Sequence, residues 1–215
     1  MSSEKLAPRT RRPRRKKGSS PKAETKRQKI LDSAAKLFSL QGYAQTKLSD
    51  IAKEAGTHAG SLYYHFKSKE DLVQDVLGMT MSLLSNAVMA KVNELPETAT
   101  PSERIAAGIQ AHVLHILQRG FYTQAYMKII DQVPAHVRRA YVMAPRAYGN
   151  YWRGLLEGAR QAGELRTDLN PTILRLLLLG SITWMLEWYK PDGPLSADQI
   201  ADEVTKLFFD GARKR

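Results

Sequence analysis

His112 and His115 stand three residues apart, a spacing that places two imidazoles on one helical face and in reach of a shared metal ion. No cysteine accompanies them and no nearby acid completes a site, so packing is the expected role and no metal or cofactor is predicted. The lack of cysteine also removes disulfides, thiolate nucleophiles and zinc ribbons, and it is compatible with a reducing cytoplasm. Serines, histidines and acids occur, but not in a nucleophile elbow, and there is no phosphate loop or dinucleotide fingerprint, so the chain does not read as an enzyme. Charge is the stronger signal. Of the net +12, residues 1–30 hold +10, with twelve Lys and Arg against Glu4 and Glu24, while the other 185 residues carry 21 basic and 19 acidic side chains. Positive charge gathered at one end is the footprint of a polyanionic partner, because each neutralised phosphate releases counterions. A solubilising tail is the plainer alternative.

The elements around these residues read as helices. Residues 1–21 are rich in Pro, Ser, Lys and Arg without periodicity and are expected to form a disordered basic arm. Ile30, Ala34, Leu37 and Phe38 then share one face of a helix that Gly42 stops. Leu48, Ile51, Ala52 and Ala55 follow at i, i+3, i+4 and i+7, with Thr46 as the expected N-cap and Gly56 beyond the end. A short helix over about 58–64 comes next, and Ser68-Lys69-Glu70-Asp71 matches a capping box for a long helix to about residue 94. Further helices are predicted at about 102–119, 121–132, 135–162, 170–189 and 197–212, with Pro145 kinking or dividing the third of these. The longest apolar run, Ile173 to Trp184, is interrupted by Arg175 and reads as a buried helix, not a membrane span. No apolar segment follows the basic run, so a secretory leader is not expected. The organisation predicted is all-α: an arm over 1–21, three small helices over 22–67, and a bundle of roughly six over 68–215.

Two short helices joined by a tight glycine-containing turn, about 48–55 and 58–64, are the arrangement that sets a second helix into a major groove. Gly42-Tyr43, Thr46, Leu48, Asp50-Ile51-Ala52, Ala55-Gly56, Gly60-Ser61-Leu62-Tyr63-Tyr64-His65-Phe66 and Ser68-Lys69-Glu70-Asp71-Leu72 resemble the TetR family of bacterial repressors over residues 26 to about 75. The resemblance implies a core of Leu48, Ile51, Ala52, Ala55, Leu62 and Phe66. It also implies that Thr46, Thr57, His58, Ala59, Ser61, Tyr63, Tyr64, His65 and Lys69 face DNA. Thr46 and Lys69 would offer helix N-termini to phosphates, and Tyr64 and His65 phosphate hydrogen bonds. His58, Ala59, Ser61 and Tyr63 would meet base edges, with Ala59 suited to a thymine methyl. The arm's arginines would enter the adjacent minor groove or simply attract phosphates.

TetR-like proteins are dimers through their last two helices, here about 170–189 and 197–212. The first is apolar nearly all round, more than a monomer readily buries. Trp184, Glu187-Trp188-Tyr189-Lys190-Pro191, Gly193-Pro194-Leu195, and the earlier Trp152, Leu155 and Gly163 further resemble family members that control steroid or fatty-acid breakdown and respond to CoA thioesters. Between Ile105 and Arg160 seven basic residues face two acids, a balance of +5 that suits an anionic effector. The expected pocket is Tyr122, Tyr126, Trp152 and Trp184 around an apolar moiety, with Arg146 on its anionic end. The prediction is a cytoplasmic, dimeric repressor that binds a palindromic operator on double-stranded DNA and is released by a small-molecule effector such as an acyl-CoA. A sensor of lipophilic cations and a ligand-independent DNA-binding protein are the alternatives.

Overall fold

The computed structural model describes residues 21–118, 120–142 and 146–213, with their side chains other than those at 21–23, 142 and 146. Nearly all of the expected basic arm, Arg119 and the Arg146 side chain thus lie outside the described residues. Ten helices form in the rest: α1 (Pro21–Gln45), α2 (Leu48–Glu54), α3 (Ala59–His65), α4 (Lys69–Asn93), α5 (Pro101–Leu117), α6 (Phe121–Ile129), α7 (Ala135–Val142), α8 (Arg146–Gln161), α9 (Pro171–Trp188) and α10 (Ala197–Ala212). The protein is all-α. The one β contact among the described residues is an isolated antiparallel bridge between Leu165 and Arg213. In the segment expected over 135–162 the described residues form α7 and α8, and the break expected at Pro145 lies outside the described residues.

Local chemistry accounts for the helix ends. Ser68 Oγ accepts from the Asp71 amide at 3.0 Å, and the Asp71 carboxylate accepts from the Lys67 amide at 3.2 Å. The capping box therefore reaches back one residue further than its usual form. Thr100 and Glu103 cap α5 reciprocally, as Ser196 and Gln199 cap α10, and Pro101 and Pro171 occupy first-turn positions where no amide is needed. Gly42 interrupts α1 with φ +77°, and a Cβ there would lie 2.8 Å from Gln132 Oε1. The positive φ is what favours glycine here, and a Cβ would also push aside the Gln132 side chain that accepts from the Tyr43 amide.

Two apolar cores result. Ile30, Leu31, Ala34 and Phe38 of α1, Ile51 and Ala52 of α2, Leu62 of α3, and Phe66 pack with Leu72, Val73, Val76 and Leu77 of α4. Ala125 and Ile129 of α6, which packs on α1 and α4, complete this first core. The second core holds Leu84 and Val88 of α4, Ile105, Ile109 and Val113 of α5, Trp152 and Leu156 of α8, Ile182 of α9, and Phe208 and Phe209 of α10. A Leu→Ala change at a site such as Leu62 or Leu77 would cost about 2–5 kcal/mol.

α4 belongs to both cores, so it is the rigid element that joins them. It is long and apolar enough to cross a membrane by length and composition, but 39% of that stretch is buried inside the protein and its first turn is charged. It is accounted for as a core helix. α9 is different. Its inward side is buried, while Ile173, Leu176, Leu177, Trp184 and Trp188 stand exposed along the other, joined by Leu207 of α10.

Candidate nucleic-acid interface and enclosed cavity

α3 is held by a single buried side chain, Leu62, with Phe66 just beyond its end. That one anchor turns the rest of the helix outward. His58, Ala59 and Gly60 are exposed, Tyr63 is 57% exposed and Tyr64 82% exposed, and Ser61 and His65 are partly covered. Exposed aromatic rings on a seven-residue helix have no packing role to explain them, and they form a contiguous face with donors and acceptors at its rim. His65 packs edge-on against Tyr64 with ring centroids 5.1 Å apart. Burial, then the positive Lys26 and Arg27, hold its pKa below the usual histidine value. Thr57 is half-covered, and its enclosed hydroxyl has no hydrogen-bond partner among the described residues.

Two expected contact residues are already occupied. Thr46 is fully buried, and its hydroxyl donates to the Gly42 carbonyl at 2.7 Å, so it closes the end of α1. The N-cap of α2 is Lys47, without a side-chain bond, which corrects the expected Thr46 cap. The Lys69 ammonium lies 4.3 Å from the Tyr43 ring centroid and 3.4 Å from the Ala44 carbonyl, and partial burial lowers its pKa. Arg27 pairs with Asp75 and covers the Phe66 ring, tying α1 to α4. Lys26 and Lys29, whose charge was visible in the sequence but whose position was not, border an open groove with Ala55 and Gly56 beside the α2–α3 turn.

Deeper in the molecule a cavity of about 90 Å³ opens among α4, α5, α6, α7, α8 and α9. Thr80, His112, Thr123, Tyr126, Tyr148 and Thr183 give it a polar lining, and Met81, Leu84, Ile116, Leu179 and Leu186 an apolar one. His115 and Tyr141 complete it, and no Lys, Arg, Asp or Glu lines it among the described residues. His112 is 3% exposed and its Nδ1 lies 3.1 Å from the Tyr148 hydroxyl. Burial, then the neighbouring His115, pushes its pKa down to about 3, so the imidazole is neutral at any ordinary pH. Nothing in the sequence marked this pair beyond a histidine on an otherwise apolar face of α5. No group of three or more metal-binding side chains occurs among the described residues.

Of the expected pocket residues whose side chains are described, only Tyr126 lines this cavity, where its hydroxyl donates to the Tyr141 carbonyl at 3.2 Å. Tyr122 points the other way. Its hydroxyl donates to Asp32 at 2.8 Å and accepts from Gln28 at 3.1 Å, joining α6 to α1, and burial with the Asp32 carboxylate raises its pKa. Trp152 is fully buried between α5 and α8, with its ring 3.0 Å from where a Cβ on Gly108 would lie. Trp184 is 65% exposed on the outer side of α9. The physical reason is azimuth: Tyr122 and Tyr126, four apart, share one side of α6 about 40° apart, and the sequence pattern does not say which part of that side meets a void and which meets a neighbouring helix. Thr80 connects the two regions, lining the cavity while donating to the Tyr122 carbonyl at 3.2 Å.

With this geometry, the similarities to known proteins are informative. A model of bacterial regulatory proteins of the tetR family matches residues 30–76, and one of tetracyclin repressor-like C-terminal domains matches residues 98–212. The chain is 29% identical over 190 residues to the HTH-type transcriptional repressor KstR2 of Mycolicibacterium smegmatis, covering 87% of this chain and 90% of the relative. It is 27% identical over 189 residues to the fatty acid metabolism regulator protein of Bacillus subtilis, covering 86% of this chain and 95% of that one. Among solved structures it resembles AibR in complex with isovaleryl coenzyme A and operator DNA, with TM-score 0.70, 26% identity, and coverage of 86% of this chain and 98% of that one. Matched in both halves, and over more than half of its length by the second model alone, the chain belongs to the TetR family of bacterial transcriptional regulators.

Proposed function

We propose that the protein is a cytoplasmic repressor that binds a palindromic operator as a dimer and is released by an acyl-CoA or a related anionic thioester. The observation that carries this reading is the exposed face of α3, held by Leu62 alone and joined through α4 and α6 to a partly open neutral cavity. His58, Ala59, Ser61 and Tyr63 meet base edges. Thr57, Tyr64 and His65 meet phosphates, Lys69 supports the N-terminus of α4 beside them, and Lys26, Lys29 and the basic arm add positive charge along the backbone. Thr46 takes no part, its hydroxyl being spent on Gly42. α9 and α10 pair with those of a second copy, which covers the exposed apolar stripe.

A cavity of about 90 Å³ is smaller than the engineered void of about 150 Å³ that holds benzene, which favours a short acyl group over a steroid ring system. The Thr123 hydroxyl and the neutral His112 suit a thioester carbonyl or a substituent oxygen on that group, the Thr80 and Thr183 hydroxyls being donated to backbone carbonyls. The lack of any lining carboxylate disfavours the sensor of lipophilic cations. Selection of bound duplexes from a random library tests the DNA half of this reading. It should return inverted repeats whose half-sites lie about 34–36 Å or a multiple apart. Tyr63→Ala should lose discrimination between selected and scrambled duplexes while leaving affinity for the scrambled one within about twofold, since base contacts are worth about 1–3 kcal/mol each. Enrichment of no inverted repeat would contradict the reading.

A further inference from the structure

Arg175 is the residue that interrupts the apolar run of α9. At 100° per residue it falls about half a turn from the outward stripe of Ile173, Leu177, Gly180 and Trp184, in the middle of the inward face with Leu178, Leu179 and Ile182. A cation is therefore aimed at the interior. Its Nε is enclosed and has no hydrogen-bond partner, and no acid pairs with it among the described residues. Its Nη1 lies 3.2 Å from where a Cβ on Gly149 would be, so the guanidinium rests on a bare stretch of α8 that a larger residue would fill. Leu179, one turn further along α9, and Tyr148, next to Gly149, both line the cavity. An unpaired charge in such a place is costly unless something of opposite sign meets it.

We propose that Arg175 is the anion-binding residue of the effector site, holding a phosphate or carboxylate oxygen at the edge of the cavity while the neutral acyl part enters it. The assignment rests on the acyl-thioester reading above. It gives that reading the charged contact which the cavity itself lacks, and it puts the contact on α9. An arginine fork suits phosphate or carboxylate oxygens, and Gly149 leaves it room to turn toward them.

The test is a thermal-shift titration of the full chain with isovaleryl-CoA, isovalerate and the neutral methyl isovalerate, for wild type, Arg175→Met and Arg175→Lys. Operator binding without ligand checks that each variant is folded. Isovaleryl-CoA should raise the wild-type Tm, and Arg175→Met should weaken its binding at least tenfold while leaving methyl isovalerate unchanged. Arg175→Lys should fall between. Protection by isovalerate as well as the thioester identifies a carboxylate-sized anion as sufficient, and protection by the thioester alone identifies the phosphates as the contact. Without ligand, Arg175→Met should melt no lower than wild type, because it removes an enclosed Nε that has no hydrogen-bond partner among the described residues. Unchanged isovaleryl-CoA binding in Arg175→Met overturns the assignment and leaves the acyl-thioester reading standing, and a lowered Tm beside it marks a purely structural arginine. Failure of all three compounds to protect wild type overturns the reading itself, and the assignment with it. If Arg175→Met does not bind operator, Arg175→Gln and Arg175→Lys decide by the same comparison.

Discussion

His112 sits at the centre of the cavity chemistry, and its neutrality has a consequence for stability. Burial depresses its folded pKa to about 3, against 6.5 for the free side chain, so the unfolded chain binds a proton there more readily than the native one. The sign is therefore that stability is fully present above about pH 6.5 and falls as the pH drops through the window down to about 3, by about 1.4 kcal/mol per pH unit for one such group. Denaturant unfolding between pH 7 and pH 5 should show this loss, and His112→Phe should flatten it. His115, also depressed by burial, adds a smaller slope of the same sign that remains in the variant. An unchanged slope in His112→Phe would mean that the imidazole is not the group responsible. At this scale the sequence was least legible. A lone threonine before a helix reads as an N-cap, yet Thr46 bonds backward to Gly42, and only the path of α1 over α2 decides between the two.

Helices α4 and α6 connect the two functional regions. Thr80 of α4 touches both the cavity and the Tyr122 carbonyl, and the Tyr122 hydroxyl reaches Asp32 and Gln28 on α1. Gln132, beyond the end of α6, accepts from the Tyr43 amide at 2.9 Å where α1 breaks. A change at the cavity therefore has a hydrogen-bonded route to the helix that carries the reading head. Tyr122→Phe should keep effector binding within about twofold of wild type but reduce effector-driven loss of DNA affinity, since coupling is a free energy separate from either affinity. Anisotropy measured with and without effector reads it, and equal release in both proteins would remove Tyr122 from the route. Element boundaries were largely legible, because caps and breakers act locally: Gly42 marks a real interruption and Ser68 a real helix start. The lining of the cavity was not. Tyr122 and Tyr126 are one turn apart on α6, and which of them meets a void is settled by neighbours distant in sequence.

Among the described residues a large apolar surface on α9 and α10 stands uncovered, foreshadowed by a helix apolar nearly all round. Leu177 at 67%, Trp184 at 65% and Leu207 at 77% exposure are too large and too clustered for ordinary surface residues. Leu177→Glu combined with Trp184→Glu should turn a dimer into a monomer by analytical ultracentrifugation and lower operator affinity at least tenfold, because two half-sites would then be bound independently. A wild-type monomer at micromolar concentration would contradict the assignment of this surface. The measurement that bears most directly on the account is displacement of the wild-type dimer from a fluorescent operator duplex by isovaleryl-CoA, set beside a lipophilic cation. The account expects saturable release by the thioester and none by the cation, since no carboxylate lines the cavity among the described residues. Release by the cation alone, or by neither, would contradict it.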